Sequence, residues 1–326
     1  MALDDFFTLT PERVLAAAEV GGRRATGSVL ALNSLENRVY EIEYEEGPRL
    51  VAKFYRPERW SREAILDEHR LLAEAAEEEL PVVPPIDLGG GATLGELAGS
   101  DGGAILYALF PKARGRAPEE LDDERLRQLG RLVARLHIVG ERREAPARPR
   151  LTCDSYGAAS VRLLADGPWI PLDLAGPFRR VGEALVAACR AAGLDEERPI
   201  RLHGDCHKGN LLWGQEGPFF LDFDDFLHGP AVQDLWLLAP GHDDEALAQR
   251  ALLVEGYRAM RAFDERTLRL VEPLRALRIL RYAAWVAHRY RDPAFQRAFP
   301  DFEEHSWWQR EIADLGEQLG RMSRAS

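Results

Sequence analysis

The chain contains very little lysine. Its 326 residues include 42 basic side chains, yet only three of these are lysines: Lys53, Lys112 and Lys208. Because arginine serves almost everywhere that a positive charge is enough, each lysine is a candidate for a site that needs a compact ammonium group. The scarcity of lysine therefore selects three positions before any motif is considered.

The sequence also lacks the features of membrane, secreted and nucleic-acid-binding proteins. No apolar run approaches the roughly 20 residues that span a bilayer, and Met1–Asp5 carry no positive region ahead of an apolar one. Cys153, Cys189 and Cys206 do not have the spacing of metal ligands and fit free thiols in a reducing cytoplasm. The net charge of −12 argues against a general nucleic-acid binder. We therefore expect a cytoplasmic protein without a nucleic-acid or membrane partner.

What is present is typical of a globular protein, with 46% apolar and 29% charged residues. The first part of the chain combines strand patterns with two helices, at Pro11–Val20 and Ser61–Glu78. Strands are predicted at Ala25–Leu32, Arg38–Tyr44, Leu50–Tyr55, Ile86–Leu88 and Ala104–Phe110. Polar and glycine-containing turns separate the first three strands, which predicts an antiparallel meander.

Beyond Lys112 the periodicity becomes mostly helical. Helices are predicted at Pro118–Val139, Gly176–Ala192, Glu245–Ala262, Glu265–Arg291 and Trp307–Arg321. The sequence thus predicts an α+β fold with two lobes. The first, residues 1–112, contains the sheet and one main helix, and the second, residues 113–326, is larger and mostly helical.

An acid-rich stretch, Arg201–Gln233, lies within the helical part. It places polar residues around two apolar runs, Leu211–Trp213 and Phe219–Leu221, the second of which we predict to be a strand. These residues are His203, Asp205, His207, Asn210, Asp222, Asp224 and Asp225. Buried carboxylates and amides need partners, and a metal ion with a phosphate is a common one.

Three oxygen-bearing side chains of this stretch suit phosphate chemistry. Asp205 and Asn210 lie five residues apart, so a short loop can aim the carboxylate at a hydroxyl and the amide oxygen at a metal. Asp222 can supply a second metal ligand, because Mg²⁺ favours one or two such oxygens together with phosphates and water. The alternative for any single acid is a role in a turn or a cap.

Two other chemistries have less support. His203, Cys206 and His207 could suggest zinc, but Gly204 and Gly209 disfavour a helix here and no second ligand cluster follows. A serine nucleophile is not supported either, because the sequence has no Gly-x-Ser-x-Gly elbow.

Lys53 lies in an apolar strand, Leu50–Tyr55, where a lysine either reaches out from an edge or binds an anion. We favour the anion because lysine is so rare in this chain. A carboxylate on the following helix could hold the ammonium group. Glu68 is the first candidate and Glu63 the second, and most of the other acids of that helix are expected to face solvent.

These residues match a known family. His203–Asn210 with Leu221–Asp224 resembles the aminoglycoside phosphotransferase and choline kinase branch of the protein-kinase-like fold. Leu32–Tyr40, Lys53–Trp60 and Gly229–Trp236 resemble more closely the bacterial stress response kinase A family. The matching segments are contiguous and spread over both predicted lobes, so the resemblance covers nearly the full chain.

The resemblance implies a bilobal kinase that uses ATP and Mg²⁺ to phosphorylate protein Ser/Thr, itself included, in a bacterial stress response. We expect the protein to be a monomer. By position, Asp205 is the catalytic base that accepts the hydroxyl proton, and Asn210 and Asp222 hold Mg²⁺. Lys53 binds the α/β-phosphates and is oriented by Glu68.

The same resemblance assigns further residues around the nucleotide, in a cleft between the lobes. The turn Asn33–Asn37 takes the place of a glycine-rich loop, with Ser34 and Asn37 at the nucleotide. Phe110 falls at the hinge beside adenine, and Asp234 is a buried acid that braces the catalytic loop.

Three departures from most protein kinases bear on the substrate. No Gly-x-Gly-x-x-Gly precedes Lys53, Asp222-Phe223-Asp224 stands in place of Asp-Phe-Gly, and only a few residues separate Asp222 from Gly229. Control by an activation loop is therefore not expected, and the pattern approaches that of small-molecule kinases. A kinase of an amino alcohol, sugar or aminoglycoside is the alternative function. A nucleotide-binding regulator without turnover is disfavoured, because base, lysine and both metal ligands are present.

Overall fold

The computed structural model describes residues 6–7, 9–99, 103–215 and 217–325. Their contacts divide the chain into two compact units. The first unit takes the described residues of Met1–Arg148, Asp205–Phe226 and Leu237–Arg261, and the second those of Pro149–Gly204, Leu227–Trp236 and Ala262–Ser326. All the predicted catalytic, nucleotide and metal residues belong to the first unit. The lobe boundary at Lys112 stays a prediction.

The first unit contains an antiparallel sheet of five strands in the order β1-β2-β3-β5-β4. The strands are β1 Ala25–Leu32, β2 Arg38–Tyr44, β3 Leu50–Phe54, β4 Gly95–Ala98 and β5 Ala104–Pro111. The predicted meander of the first three strands is confirmed, as is the strand before Pro111. Strand β3 is central, pairing with β2 on one side and β5 on the other, so its side chains have neighbours on both flanks.

Two helices that the capping residues predict accompany this sheet. Helix α1, Pro11–Ala18, begins after Thr10, whose hydroxyl accepts a hydrogen bond from the Arg13 amide. Helix α2, Arg62–Glu77, begins after Ser61, whose hydroxyl accepts from the amide of Ala64. Such caps satisfy amides that have no partner within the helix. Both predicted helices are confirmed.

The remaining elements of the first unit carry and support the acid-rich stretch. They are α3 Asp123–Gly140, the hairpin strands β7 Leu211–Gly214 and β8 Gly217–Phe220, and α7 Asp244–Arg258. Helices α3 and α7 lie in close contact, because a Cβ added at Gly130 would stand only 2.1 Å from the Leu253 carbonyl oxygen. The predicted strand at Phe219 is confirmed, although it starts and ends earlier than expected.

The second unit is mostly helical, as the periodicity predicts. Its elements are α4 Ala159–Asp166, α5 Leu172–Ala191, β6 Ile200–Leu202, β9 Leu227–Gly229, α8 Val271–Arg289, α9 Pro293–Ala298 and α10 His305–Ala325. Strands β6 and β9 pair antiparallel. Phe178 and Phe302 pack around the fully buried Trp308 with ring centroids 5.5 and 5.3 Å away. A short helix, α6 Val232–Leu238, follows β9.

Some element predictions are wrong, for local reasons. Ile86–Leu88 is not a strand: the Ile86 amide donates to Leu109 at 2.8 Å, without continuing into a ladder. Strand β4 and helix α4 carry weak patterns and were not predicted. Helix α3 starts at Asp123 rather than Pro118 because Asp122 caps it. Within the described residues, no helix is both long and apolar enough to cross a membrane.

Candidate active site

Lys53 is the centre of a charged cluster in the first unit. It lies on β3 between Val39 of β2 and Ala108 of β5, and its side chain is only 10% exposed. Its Nζ lies 3.4 Å from Glu68 Oε1, 3.5 Å from Asp222 Oδ1 and 3.1 Å from Asp224 Oδ1. The lysine therefore does not reach out from an edge but holds carboxylates, as its apolar strand and its rarity predicted.

The electrostatics keep this lysine charged. Burial lowers the pKa of Lys53, but the carboxylates of Asp224 and Glu68 outweigh it and hold the pKa well above its usual value. Burial also raises the pKa of Glu68, against the attraction of Lys53. For Asp224, burial is outweighed by Arg59 and Lys53, so its pKa lies below the usual range. Lys53 therefore keeps its positive charge at neutral pH.

Glu68 is the residue of α2 that contacts this ammonium. It is 1% exposed, whereas Glu63, the second candidate, lies one turn earlier on the exposed face. A buried carboxylate fixes the direction of the lysine side chain, since both groups would be costly to leave without a partner. The structure therefore brings Glu68 to Lys53 and leaves Glu63 in solvent.

The loop after β6 carries Asp205 and Asn210 in contact with each other. Asn210 Nδ2 donates to the backbone oxygen of Asp205 at 3.0 Å and lies 3.4 Å from its Oδ2. His207 Nε2 lies 3.3 Å from the same Oδ2, while its Nδ1 accepts from the Gly209 amide at 2.9 Å. Because Nδ1 accepts, the ring proton is placed on Nε2, toward Asp205. Here the histidine orders the loop, as a scaffold residue would.

Asp234 of α6 holds the residues before Asp205, within the second unit. Its two carboxylate oxygens accept from the amides of His203 and Gly204, each at 2.9 Å. Gly204 has φ of +84°, a conformation that side chains rarely adopt. Gln233 Nε2 donates to the Gly204 carbonyl oxygen at 3.0 Å. These are the contacts expected of the predicted brace.

The hairpin β7–β8 pairs the backbone that follows Asn210 with the backbone that precedes Asp222. Leu211 pairs with Phe220, and the Leu221 amide donates to the Asn210 carbonyl oxygen at 2.9 Å. The chain then turns sharply at Asp222, which has φ of +57°. Such a conformation costs of the order of 1 kcal/mol or more in a non-glycine residue and is common at functional sites. The turn leaves the Asp222 side chain 57% exposed, whereas that of Asp224 is 4% exposed.

This exposure decides which acid can take a metal. Asp224 is buried against Lys53 and Arg59, whereas Asp222 presents an exposed carboxylate. Among the described residues, no group of three or more His, Cys, Asp or Glu side chains can hold a metal ion. Two oxygen ligands, completed by phosphates and water, fit Mg²⁺, which dehydrates reluctantly and seldom uses a full protein cage. The residues present therefore fit such a cation.

The turn Asn33–Asn37 is held by side chains of its own unit. The Asn37 amide donates to Ser34 Oγ at 3.3 Å, and Asn37 Oδ1 accepts from the Arg56 amide at 3.1 Å. Asn37 is 3% exposed, so its side chain supports the turn. Phe110 lies near the end of β5 with its ring 6.1 Å from that of His69. Contacts of Ser34, Asn37 and Phe110 with a nucleotide remain predictions.

Several charged residues around the site were not predicted. Arg59 contacts Asp224 at 2.8 Å and Asp225 at 2.5 Å. Arg148 Nε donates to the Phe226 carbonyl oxygen at 2.8 Å, and its guanidinium also donates to the Asp224 carbonyl oxygen. One signal was available for Asp224, which together with Asp225 lies between Phe223 and Phe226. Arg59 and Arg148 gave none, because they are two among 39 arginines.

Comparison with known proteins gives the family. Residues 28–271 match the model of the APH phosphotransferase enzyme family. Stress response kinase A of Escherichia coli K12 is 37% identical over 313 residues, which cover 96% of this chain and 93% of that protein. The serine/threonine protein kinase RdoA of Salmonella typhimurium LT2 is 36% identical with the same coverage.

Solved structures agree on the fold. An amicoumacin kinase in complex with AMP-PNP, Ca²⁺ and Ami superposes with a TM-score of 0.75 at 22% identity, covering 93% of both chains. A microcompartment-associated aminopropanol kinase gives 0.69 at 19% identity, covering 97% of this chain and 96% of the other. A spectinomycin phosphotransferase gives 0.64 at 15% identity, covering 94% and 98%. The predicted α+β, bilobal, protein-kinase-like fold is confirmed.

The predicted enzyme class is confirmed as well, because the family model and the relatives both describe transfer of phosphate to a hydroxyl. The chain belongs to the phosphotransferase enzyme family and, within it, to the stress response kinase A family of kinases.

Proposed function

We propose that this kinase is an ATP- and Mg²⁺-dependent protein serine/threonine kinase that also phosphorylates itself and acts in a bacterial stress response. The observation that carries the nucleotide part is the Lys53 cluster, with Glu68 and Asp222 at 3.4 and 3.5 Å from Nζ. The protein substrate is supported by the name of the RdoA relative, a serine/threonine protein kinase. The stress role is supported by the names of the other relatives.

In this proposal Lys53 binds the α/β-phosphates of ATP. Its ammonium is held by Glu68, so little reorganisation is needed when a phosphate approaches. Asn210 and Asp222 hold Mg²⁺, which neutralises phosphate charge when bound. Ser34 and Asn37 belong to the turn that faces the phosphates, and Phe110 lies beside adenine.

Asp205 acts on the acceptor. It orients the attacking hydroxyl and accepts its proton as the bond to phosphorus forms. The contacts of Asn210 and His207 with Asp205 Oδ2, at 3.4 and 3.3 Å, fix the direction of this carboxylate. Phosphoryl transfer needs little more from the protein than such positioning and charge neutralisation.

A second candidate is a kinase of a small hydroxyl compound. The solved structures with this fold are named as kinases of amicoumacin, aminopropanol and spectinomycin. The short connection between Asp222 and Gly229 supports the same candidate, because it leaves no room for a long activation loop.

One assay separates these functions. The full chain is incubated with labelled ATP and Mg²⁺, once with a generic protein acceptor and once with a panel of amino alcohols, sugars and aminoglycosides. We expect label in protein, including the enzyme itself, and loss of that label in Asp205→Ala. Label confined to small molecules would establish the second candidate. Binding of ATP without any transfer would leave a nucleotide-binding regulator and overturn both.

A further inference from the structure

Arg59 makes ionic contacts in three directions although its side chain is only 9% exposed. It lies on the turn between β3 and α2. Its Nη1 stands 3.3 Å from Glu36 Oε1 and 2.8 Å from Asp224 Oδ2, and its Nη2 stands 2.5 Å from Asp225 Oδ1. One guanidinium group therefore joins three acids, which together with Arg59 we name the Arg59 cluster.

The acids of the Arg59 cluster belong to two separate parts of the predicted site. Glu36 lies in the turn Asn33–Asn37, which carries Ser34. Asp224 and Asp225 follow the exposed Asp222 after one intervening residue, Phe223. The chain distance between Arg59 and Asp225 is 166 residues. The contact is thus a tertiary link between the turn Asn33–Asn37, which we name the nucleotide turn, and residues 222–225, which we name the metal-binding segment.

Arginine suits this link better than lysine does. A guanidinium presents several N–H donors in a planar fork, so it can contact carboxylates on different sides at once, whereas an ammonium is a single point of charge. Side chains of Arg59, Asp224 and Glu36 are all 10% exposed or less. Charges this deeply buried are costly unless they are paired, so a shift of either loop would leave one of them without a partner.

The backbone around Arg59 supports the same reading. Glu58 has φ of +66°, one of three non-glycine residues with positive φ in the described parts of the chain, and Asp222 is another. Arg56, three residues before Arg59, holds the turn as well, since its Nε donates to the Glu36 carbonyl oxygen at 3.0 Å. Its Nη2 donates to the Leu35 carbonyl oxygen at 3.1 Å. The segment therefore contacts the nucleotide turn through backbone and side chain.

We propose that Arg59 is a positioning residue of the phosphotransferase reaction, which fixes the nucleotide turn and the metal-binding segment relative to each other. It contacts Glu36 on the first and Asp224 and Asp225 on the second, and so sets where Asp222 presents its carboxylate. In this arrangement Asp224 anchors the segment and is not a metal ligand, which explains an acid where most kinases have a flexible glycine. The inference rests on the proposed use of Mg·ATP for its readout.

The proposal predicts a specific kinetic defect. In Arg59→Ala both loops lose their common partner, so the KM for Mg·ATP should rise by about tenfold or more, with a smaller loss of kcat once nucleotide is saturating. Arg59→Lys should recover part of this loss, because it restores charge but not the fork. The matched control is Arg49→Ala, which removes an exposed arginine that also contacts two acids, Glu41 and Glu43, and should leave both constants unchanged.

The two sides of the Arg59 cluster can be tested separately. Glu36→Gln cuts the contact with the nucleotide turn, and Asp225→Asn, at a half-exposed position, weakens the contact with the metal-binding segment. Each should raise the KM for Mg·ATP, and neither should raise it further when added to Arg59→Ala, because groups in one network are not additive. Both variants remain informative if Arg59→Ala does not fold.

The decisive experiment measures KM and kcat at several Mg²⁺ concentrations, with thermal unfolding of every variant as a check on folding. A raised KM in Arg59→Ala, absent in Arg49→Ala and shared non-additively with Glu36→Gln, supports the proposal. A lowered unfolding midpoint with wild-type KM and kcat per folded molecule would show that Arg59 is only structural. Failure of the proposed function looks different, since the wild-type protein would then show no turnover with Mg·ATP.

Discussion

Lys53 is a buried cation that contacts several carboxylates of the candidate site. Its ammonium is the common partner of Glu68, Asp222 and Asp224, and the first and last of these carboxylates are buried. Removing one partner of a buried ion pair leaves the other charge uncompensated, which is more costly than removing both. Substitution of Lys53 should therefore affect stability and activity together.

For Lys53→Met we expect kcat/KM for phosphoryl transfer to fall by at least about 100-fold and the free energy of unfolding to fall by about 3 kcal/mol. The matched control is Lys112→Met, because Lys112 is 40% exposed and contacts Glu41, where an ion pair contributes at most about 1 kcal/mol. Steady-state kinetics and denaturant unfolding measure the two effects. Equal behaviour of the two variants would contradict the assignment of Lys53.

For Asp205→Asn we expect turnover to fall by about 10² to 10⁴, since the amide cannot accept the hydroxyl proton. Binding of Mg·ATP should be retained, because the proposed role of Asp205 is toward the acceptor and the substitution keeps its size. Single-turnover transfer and nucleotide binding, measured on the same preparation, separate these steps. Wild-type turnover in this variant would exclude Asp205 as the base.

For Asp222→Asn, in contrast to Asp205→Asn, we expect the main defect in nucleotide binding. The variant should lose most of the Mg²⁺-dependent gain in nucleotide affinity, because a neutral amide is a poor substitute for a carboxylate ligand. Titration of a fluorescent ATP analogue with and without Mg²⁺ measures that gain. If the gain equals that of the wild-type protein, the metal is held elsewhere.

At this scale the sequence predicts roles for residues that belong to a motif and gives no signal for residues whose role depends on a distant partner. Asp205, Asn210 and Asp222 stand at recognisable spacings, and Lys53 stands out because lysine is rare. Arg59 cannot be found in this way, because its role depends on acids that lie far along the chain. A contact between distant residues has no local pattern.

Among the elements, helices α3 and α7 pack closely against each other at two glycines. A Cβ at Gly130 would stand 2.1 Å from the Leu253 carbonyl oxygen, and one at Gly256 would stand 2.0 Å from that of Arg127. These separations are too short for any real contact, so the two helices can approach this closely only where no side chain intervenes. The pair supports the unit that carries the site.

For Gly130→Ala we expect the free energy of unfolding to fall by about 1 to 3 kcal/mol, because the helices must move apart. Gly316→Ala on α10 is the matched control, since a Cβ there would meet nothing within 4 Å. That variant should gain up to about 1 kcal/mol from the better helix propensity of alanine. Denaturant unfolding measures both, and a stabilised Gly130→Ala would contradict the packing.

Elements with strong local signals were predicted well. Thr10 and Ser61 cap α1 and α2, and polar or glycine-containing turns separate the first three strands. Strand β4 was missed because its four residues include Gly95, and Ile86–Leu88 was mistaken for a strand because its apolar pattern resembles one without the pairing. Whether such a short segment forms a strand depends more on its pairing partners than on the strand propensity of its residues.

For the molecule as a whole, His69 links stability to pH. Its Nε2 contacts the Tyr55 hydroxyl at 3.0 Å and its Nδ1 contacts Thr93 Oγ1 at 2.8 Å. Burial, with a smaller contribution from Lys53, lowers the pKa of His69 to about 3. The unfolded chain binds a proton at this residue near its ordinary pKa of about 6.5, whereas the folded chain does not.

Stability from this residue is therefore present above about pH 6.5 and is lost as the pH falls toward 3. Between pH 7 and pH 5 we expect His69 to account for a loss of about 2 kcal/mol in the free energy of unfolding. His69→Gln, which cannot titrate, should lose correspondingly less over the same interval. Denaturant unfolding at the two pH values measures the difference, and parallel losses in both proteins would contradict it.

The contacts of the candidate site differ in the sequence separation of the residues that they join. Asn210 and Asp222 are twelve residues apart and meet through one hairpin, whereas Lys53 and Asp222 are separated by 169 residues. Local contacts of the first kind form fast, and distant ones wait for the closure of a long loop. The pair of proposed metal ligands should thus assemble early in folding, and the lysine should join only when the sheet has docked. A nascent chain would hold its oxygen ligands in place before it can bind a triphosphate.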